Sequence, residues 1–155
     1  MLPSTVLRSP ELVQKVLKSF MSAGGYDSAV LPGLRVLNSE NGRILAEFQV
    51  EKMHLNRLES VHGGLLATVV DIGGSLAIAS KGLFATGVST DINISYISGV
   101  KQGEKITVDA RVDKLGKTLA FTTVELSSNG RLVALGRHNK FVAQAYNHPE
   151  NIIKP

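Results

Sequence analysis

Along this chain the spacing of apolar residues switches between helical and alternating, and the switches mark out the elements. Leu12, Val13, Val16, Leu17, Phe20 and Met21 recur at helical spacing, with Gln14, Lys15 and Lys18 facing away. Ser9-Pro10-Glu11 supplies a helix start: a side chain able to accept N–H bonds, a proline at the first helical position and an acid favourable to the dipole. Gly24-Gly25 stops that helix. Pro32-Gly33 opens a short strand ending near Leu37. Asn38 to Gly42 then reads as a polar turn into a second strand, where Ile44, Ala46, Phe48 and Val50 alternate with Arg43, Glu47 and Gln49. Residues 52–61 form a loop. Further on, Val88, Thr90, Ile92, Ile94 and Tyr96 alternate with Ser89, Asp91, Asn93 and Ser95, which predicts a long half-buried strand. Ile106 to Val112 gives the next, Lys117 to Ser127 follows a turn at Gly116, and Leu132 to Val142 follows Asn129-Gly130.

Between the second and third strands lies a run of another kind. From Gly63 to Ser80 the only charged residue is Asp71, so a helix built from this run has no wet face and is expected to be wrapped by the rest of the chain. Six antiparallel strands bury such a helix by curling around it, which predicts an α+β fold: a curled six-stranded sheet, a central helix and an N-terminal helix. The run also reaches the minimum membrane-spanning length, but Asp71 at its centre and four glycines argue against a span.

A carboxylate in such a helix has two readings. Burial raises its pKa toward the range useful for a general base, or it is a satisfied structural acid capping a neighbouring strand. Ahead of it, His62-Gly63-Gly64 puts two residues without side chains where the first unpaired N–H groups of a helix point outward. Such groups suit a carbonyl oxygen gaining negative charge. Close helix-to-sheet contact is the other reading of the glycine pair. Eight residues separate Gly63 from Asp71, roughly 12 Å along a helix axis. One substrate carbonyl cannot reach both within a single chain, so joint action calls for a two-fold interface.

Composition narrows the classes. At 155 residues the chain reads as one domain over residues 9–146, between flexible tails at 1–8 and 147–155. It has no cysteine, which excludes a disulfide scaffold and a thiolate nucleophile and suits a reducing compartment. A cytoplasmic location is expected. A mitochondrial one is the second reading, because the first helix is basic and amphipathic, although it lacks the Arg-rich, acid-poor character of a transit peptide. No secretory apolar core stands at the N-terminus. The net charge of +4 comes without a dense basic run, and aromatics are 5%, so a nucleic-acid partner is not expected. His54, His62, His138 and His148 have no metal-ligand spacing.

Asn56, the His62-Gly63-Gly64 helix start, Asp71, the strand from Gly87 to Tyr96, Gly116-Lys117-Thr118-Leu119-Ala120-Phe121 and Gly136-Arg137-His138 occur in order. With these the chain resembles the hotdog-fold acyl-CoA thioesterases of the phenylacetate-degradation type over roughly residues 10–143. That resemblance implies hydrolysis of a fatty or aryl acyl-CoA to the free acid and CoA, with no cofactor, since CoA is part of the substrate. It implies that the Gly63 N–H, helped by Asn56, polarises the thioester carbonyl, while Asp71 and Ser89 of the facing subunit activate water and His62 steadies the helix start. It also implies a homodimer as the minimal unit and a homotetramer as a dimer of dimers. For CoA itself, Gly64, Lys117, Arg137, His138 and Lys140 are the candidates, the last four as cations near strand ends at the surface. Ile72-Gly73-Gly74 stands where the close relatives tend to carry polar and larger residues, so the resemblance implies an acyl pocket that is wider or differently shaped. A hotdog hydratase or dehydratase, and a non-catalytic acyl-CoA sensor, are the competing readings.

Overall fold

A computed structural model describes residues 9–154; the expected N-terminal tail at 1–8 lies outside the described residues. In chain order the elements are α1 (Ser9–Ser22), α2 (Tyr26–Val30), β1 (Arg35–Glu40), β2 (Arg43–Gln49), a 3-10 turn at Lys52–His54, α3 (Gly63–Ser80), β3 (Val88–Tyr96), β4 (Lys105–Leu115), β5 (Leu119–Ser128), β6 (Arg131–Phe141) and a last 3-10 turn at Ala145–Asn147. All six strands join one antiparallel sheet in the order β1-β2-β4-β5-β6-β3. The sheet curls around α3, the architecture expected from the apolar run.

Helix α3 is buried along most of its length, against β4, β5 and β6 on one side and α1 on the other. Its length and hydropathy would allow a membrane crossing; in this fold the sheet and α1 cover it instead. Contact is close because glycines remove the intervening Cβ atoms. A Cβ at Gly73 would lie 3.2 Å from Val108 Cγ1, and one at Gly74 would lie 2.6 Å from Thr122 Oγ1 and 2.8 Å from His138 Nδ1. Gly136 on β6 answers from the sheet side, where a Cβ would lie 2.6 Å from a methyl of Val70. Side chains of the sheet fill the space of both glycines, so Gly73 and Gly74 serve close helix-to-sheet packing.

Helix α1 packs Leu12, Val13, Val16 and Leu17 inward, as its periodicity requires. Ser9, read as a cap accepting N–H groups, instead donates its hydroxyl to the Ser80 carbonyl and ties α1 to the end of α3.

Three expectations change. Asn38 to Glu40 continue β1 rather than forming the turn, since on an edge strand polar side chains reach water while the backbone pairs with β2. Strand β3, expected to be half-buried, is exposed on both faces except at Ile94, because it is the other edge of the sheet and has no second layer outside it. Residues 147–154, expected as a flexible tail, dock on the α3–β3 connection. The Ile152 N–H donates to the Gly82 carbonyl at 2.8 Å, the Phe84 N–H donates to Asn151 Oδ1 at 2.8 Å, and His148 stacks on Phe84 with ring centroids 4.8 Å apart.

Candidate active site

The first cluster sits at the start of α3. His62 is the N-cap, and its Nδ1 accepts the Gly64 N–H at 2.8 Å. The Leu65 N–H is taken by the His62 carbonyl at 2.9 Å. Among the described residues the Gly63 N–H alone of these three has no acceptor, so it is the amide left to meet an external oxygen. The N–H of Gly64, a candidate for binding CoA, donates to His62. Tyr96 closes this end: its hydroxyl donates to the Gly63 carbonyl at 3.1 Å, and a Cβ at Gly63 would lie 3.3 Å from its ring. Close contact and an open amide thus hold at the same glycine.

Asn56 organises the approach loop. Its Oδ1 accepts the N–H groups of Leu58 (2.8 Å) and Ser60 (3.2 Å), which leaves the carboxamide NH2 as the donor free to turn outward. The His62 N–H donates to the His54 carbonyl at 2.8 Å, and buried His54 in turn bonds the Glu51 amide and the Val30 carbonyl. The chain from Glu51 to Gly64 is therefore fixed by its own polar groups.

The second cluster lies further along α3. Asp71 is half-buried, with 47% of its side chain still exposed. His138 of β6 is fully buried, and its Nε2 stands 3.6 Å from Asp71 Oδ1 and 2.7 Å from Ser89 Oγ of β3. His138 Nδ1 is buried without a partner, so the ring proton belongs on Nε2, which is at hydrogen-bond distance from Ser89 Oγ, while Asp71 Oδ1 lies beyond that distance. Ser89 then accepts from His138 and keeps a lone pair and its own proton for a water. Burial pushes the Asp71 carboxyl above the usual carboxylate range, with Lys140 pulling the other way. Burial also brings His138 down to about 4, so it is neutral at physiological pH.

Lys140 and Asp27 complete this cluster. Lys140 shares its face of β6 with His138 and is buried; its Nζ donates to Ser75 Oγ (2.7 Å) and Thr86 Oγ1 (3.2 Å). Asp27 of α2, Asp71, Ser75, Thr86, Gly87 and Lys140 line one cleft with Phe20. At Gly87, φ is +82° and a Cβ would lie 2.3 Å from the Phe141 carbonyl oxygen, so only glycine lets the strand start this close to β6 and set Thr86 over the lysine.

The sequence candidates thus fall into two groups. His62, Gly63, Gly64 and Asn56 gather at one end of α3, and Asp71, Ser89, His138 and Lys140 at the other. Within one chain Gly63 and Asp71 line separate clefts, as their eight-residue spacing requires. Lys117 and Arg137 are exposed and belong to neither group. His138 and Lys140 are not surface cations near strand ends: alternation along β6 turns them inward with buried Ala134 and Gly136, while Arg137 faces out. That same alternation was the sequence signal for their true place. Asp27 and Tyr96 were not found from sequence, Asp27 because five-residue α2 is too short for a period.

Comparison with known proteins shows the family. The family model of the Thioesterase superfamily matches residues 58–135. A putative esterase of Schizosaccharomyces pombe is 39% identical over 143 residues, covering 91% of this chain and 89% of its own. Acyl-coenzyme A thioesterase 13 of Homo sapiens is 40% identical over 130 residues, covering 83% and 92%. The crystal structure of zebrafish thioesterase superfamily member 2 superposes with a TM-score of 0.79 at 40% identity, covering 87% of this chain and 98% of that one. A six-stranded curled sheet around a buried helix, the ordered motifs and these relatives lead to one conclusion: this chain is a hotdog-fold member of the thioesterase superfamily and a thioester hydrolase.

Proposed function

We propose that the chain hydrolyses a fatty or aryl acyl-CoA to the free acid and CoA in a site shared by two protomers. The acyl-CoA thioesterase name of the human relative supports the substrate class. Asp71 of one protomer accepts a proton from water as the water oxygen attacks the thioester carbon, and Ser89, held by His138, accepts a hydrogen bond from the water's other hydrogen. The carbonyl oxygen gains charge against the partner's Gly63 N–H and the Asn56 carboxamide. The C–S bond then breaks, and the proton that Asp71 accepted passes to the departing sulfur, so that CoA leaves as the thiol and the carboxylate is restored. A preorganised backbone donor and a partly desolvated base are what this chemistry needs.

The observation that carries this reading is the Asp71 carboxyl: desolvated enough to be basic, still open to water, and beside a serine hydroxyl whose orientation a buried histidine sets. The nine-residue edge strand β3, with Val88, Ile92 and Tyr96 exposed, supports a homodimer, since a strand of that length with one unpaired edge is a ready pairing surface. Dimers pairing into a tetramer belong to the same proposal. Lys117 and Arg137 remain the candidates for CoA phosphates, being exposed cations.

The test is thiol release from a panel of acyl-CoAs by wild type and by Asp71→Asn. Loss of turnover on the order of a hundredfold or more is expected on removing a general base. An unchanged rate removes Asp71 from the mechanism, and no release from any acyl-CoA by the wild type favours a sensor.

A further inference from the structure

This mechanism leaves one buried ammonium unused. Lys140 is 4% exposed, and a lysine in such a place is uncommon because its charge must be stripped of water. Ser75 and Thr86 occupy two of its N–H donors, but both are neutral hydroxyls and neither balances the charge. Among the described residues Lys140 forms no ion pair within 4.0 Å, yet the cleft it lines holds two carboxylates, Asp71 and Asp27.

The mooring sets that separation. Ser75 follows Asp71 by four residues on α3, so the two lie one turn apart on the same face, roughly 5–6 Å between Cβ atoms. An ammonium held on Ser75 is near enough for its field to act on the Asp71 carboxylate through a poorly screened cleft. It is too far to sit on either oxygen. A contact ion pair would stabilise the carboxylate more strongly but would occupy the lone pairs a base needs.

We propose that Lys140 is a positioning residue for hydrolysis: its hydroxyl-moored ammonium keeps Asp71 in the carboxylate form while leaving both carboxylate oxygens open, and Asp27 works against it by drawing on the same charge. The proposal rests on the reading of Asp71 as the base.

Every element packed around Asp71 is accounted for. β6 presents Lys140 and His138, α2 presents Asp27, β3 presents Ser89, α1 presents Phe20, and the connection before β3 presents Thr86 and Gly87. Asp91 on β3 acts on His138, which burial keeps neutral above about 4. Among the described residues Lys140 and Asp27 are thus the charges that line the cleft with Asp71. Lys140 opposes the effect of burial on both carboxyls, and Asp71 raises Asp27 further. Burial brings Lys140 itself down to about 8, so it still carries its proton across the acid range where Asp71 titrates.

The experiment is kcat/KM against pH, by thiol release from one acyl-CoA, for wild type, Lys140→Met, Asp27→Asn and Asp71→Asn. In Lys140→Met the midpoint of the acid limb is expected to rise by roughly one pH unit, and in Asp27→Asn to fall. Lost packing alone would lower the whole profile without moving its midpoint. A folded Lys140→Met with an unmoved midpoint, or an Asp27→Asn midpoint that stays or rises, overturns the proposal; should Lys140→Met fail to fold, Asp27→Asn decides. Asp71→Asn separates the two readings. If it stays active, the assignment of the base is wrong; if it is inactive while the midpoints coincide, only the role of Lys140 falls.

Discussion

His138 carries more of this site than its position in a surface-looking Gly-Arg-His-Asn-Lys run would indicate. Burial holds its pKa at about 4, below the ordinary histidine value of 6.5. Between those values the unfolded chain takes up a proton that the folded chain refuses, so stability falls as pH drops through that window. The limit is about 3 kcal/mol for this one group. Asp71 and Asp27, both raised, act in the opposite sense, taking up protons in the folded chain before the unfolded one as pH falls. Replacing His138 by Asn removes its share, so urea unfolding at pH 7 and pH 4.5 is expected to show a larger loss in wild type than in His138→Asn. Equal losses would mean that the ring is not held neutral. The chemistry-bearing residues on α3 were legible because one acid in an apolar run and two glycines at a helix start are local anomalies. The partners were not, because His138, Lys140, Ser75 and Thr86 meet through tertiary contact, and only the two-residue period of β6 hinted at which way they face.

For whole elements, glycine placement decides how closely α3 and the sheet approach. Gly74→Ala gains up to about 1 kcal/mol of helix propensity. Its Cβ would stand 2.6 Å from Thr122 Oγ1 and 2.8 Å from His138 Nδ1, both buried, and overpacking of that kind costs about 1–3 kcal/mol. The clash outweighs the propensity, so a lower melting temperature is expected, with reduced thiol release as His138 is pushed from Ser89. A variant as stable as wild type would show that the sheet yields there. The long periodic elements, α1 and β4 to β6, could be read from sequence, since each shows one face to a core and one to water. Edge strands broke the rule: β1 ran through polar Asn38 to Glu40, and alternating β3 found no second layer to cover it. The docked C-terminal segment was unreadable because it is held by scattered hydrogen bonds, one ring stack, an ion pair to Lys15 and the two adjacent residues Ile152 and Ile153, with no repeating apolar face.

Over the whole molecule, one chain separates an open amide from an open carboxylate by about two turns of the same helix, and the account brings them together by two-fold symmetry. Complementation between inactive variants tests this most directly. Asp71→Asn removes the proposed base. Gly63→Pro removes the N–H at a first helical position, where proline is tolerated, and His62 already has the extended conformation (φ −64°, ψ 131°) that a following proline requires. Each variant alone is expected to be nearly inactive. When they are unfolded together and refolded at equal ratio, half of the dimers are mixed, and each mixed dimer holds one site with both groups intact. Thiol release is therefore expected to return to about a quarter of the wild-type value. Activity that stays at the level of the separate variants, with mixed dimers demonstrably formed, would place both groups' action within a single protomer and contradict the shared site.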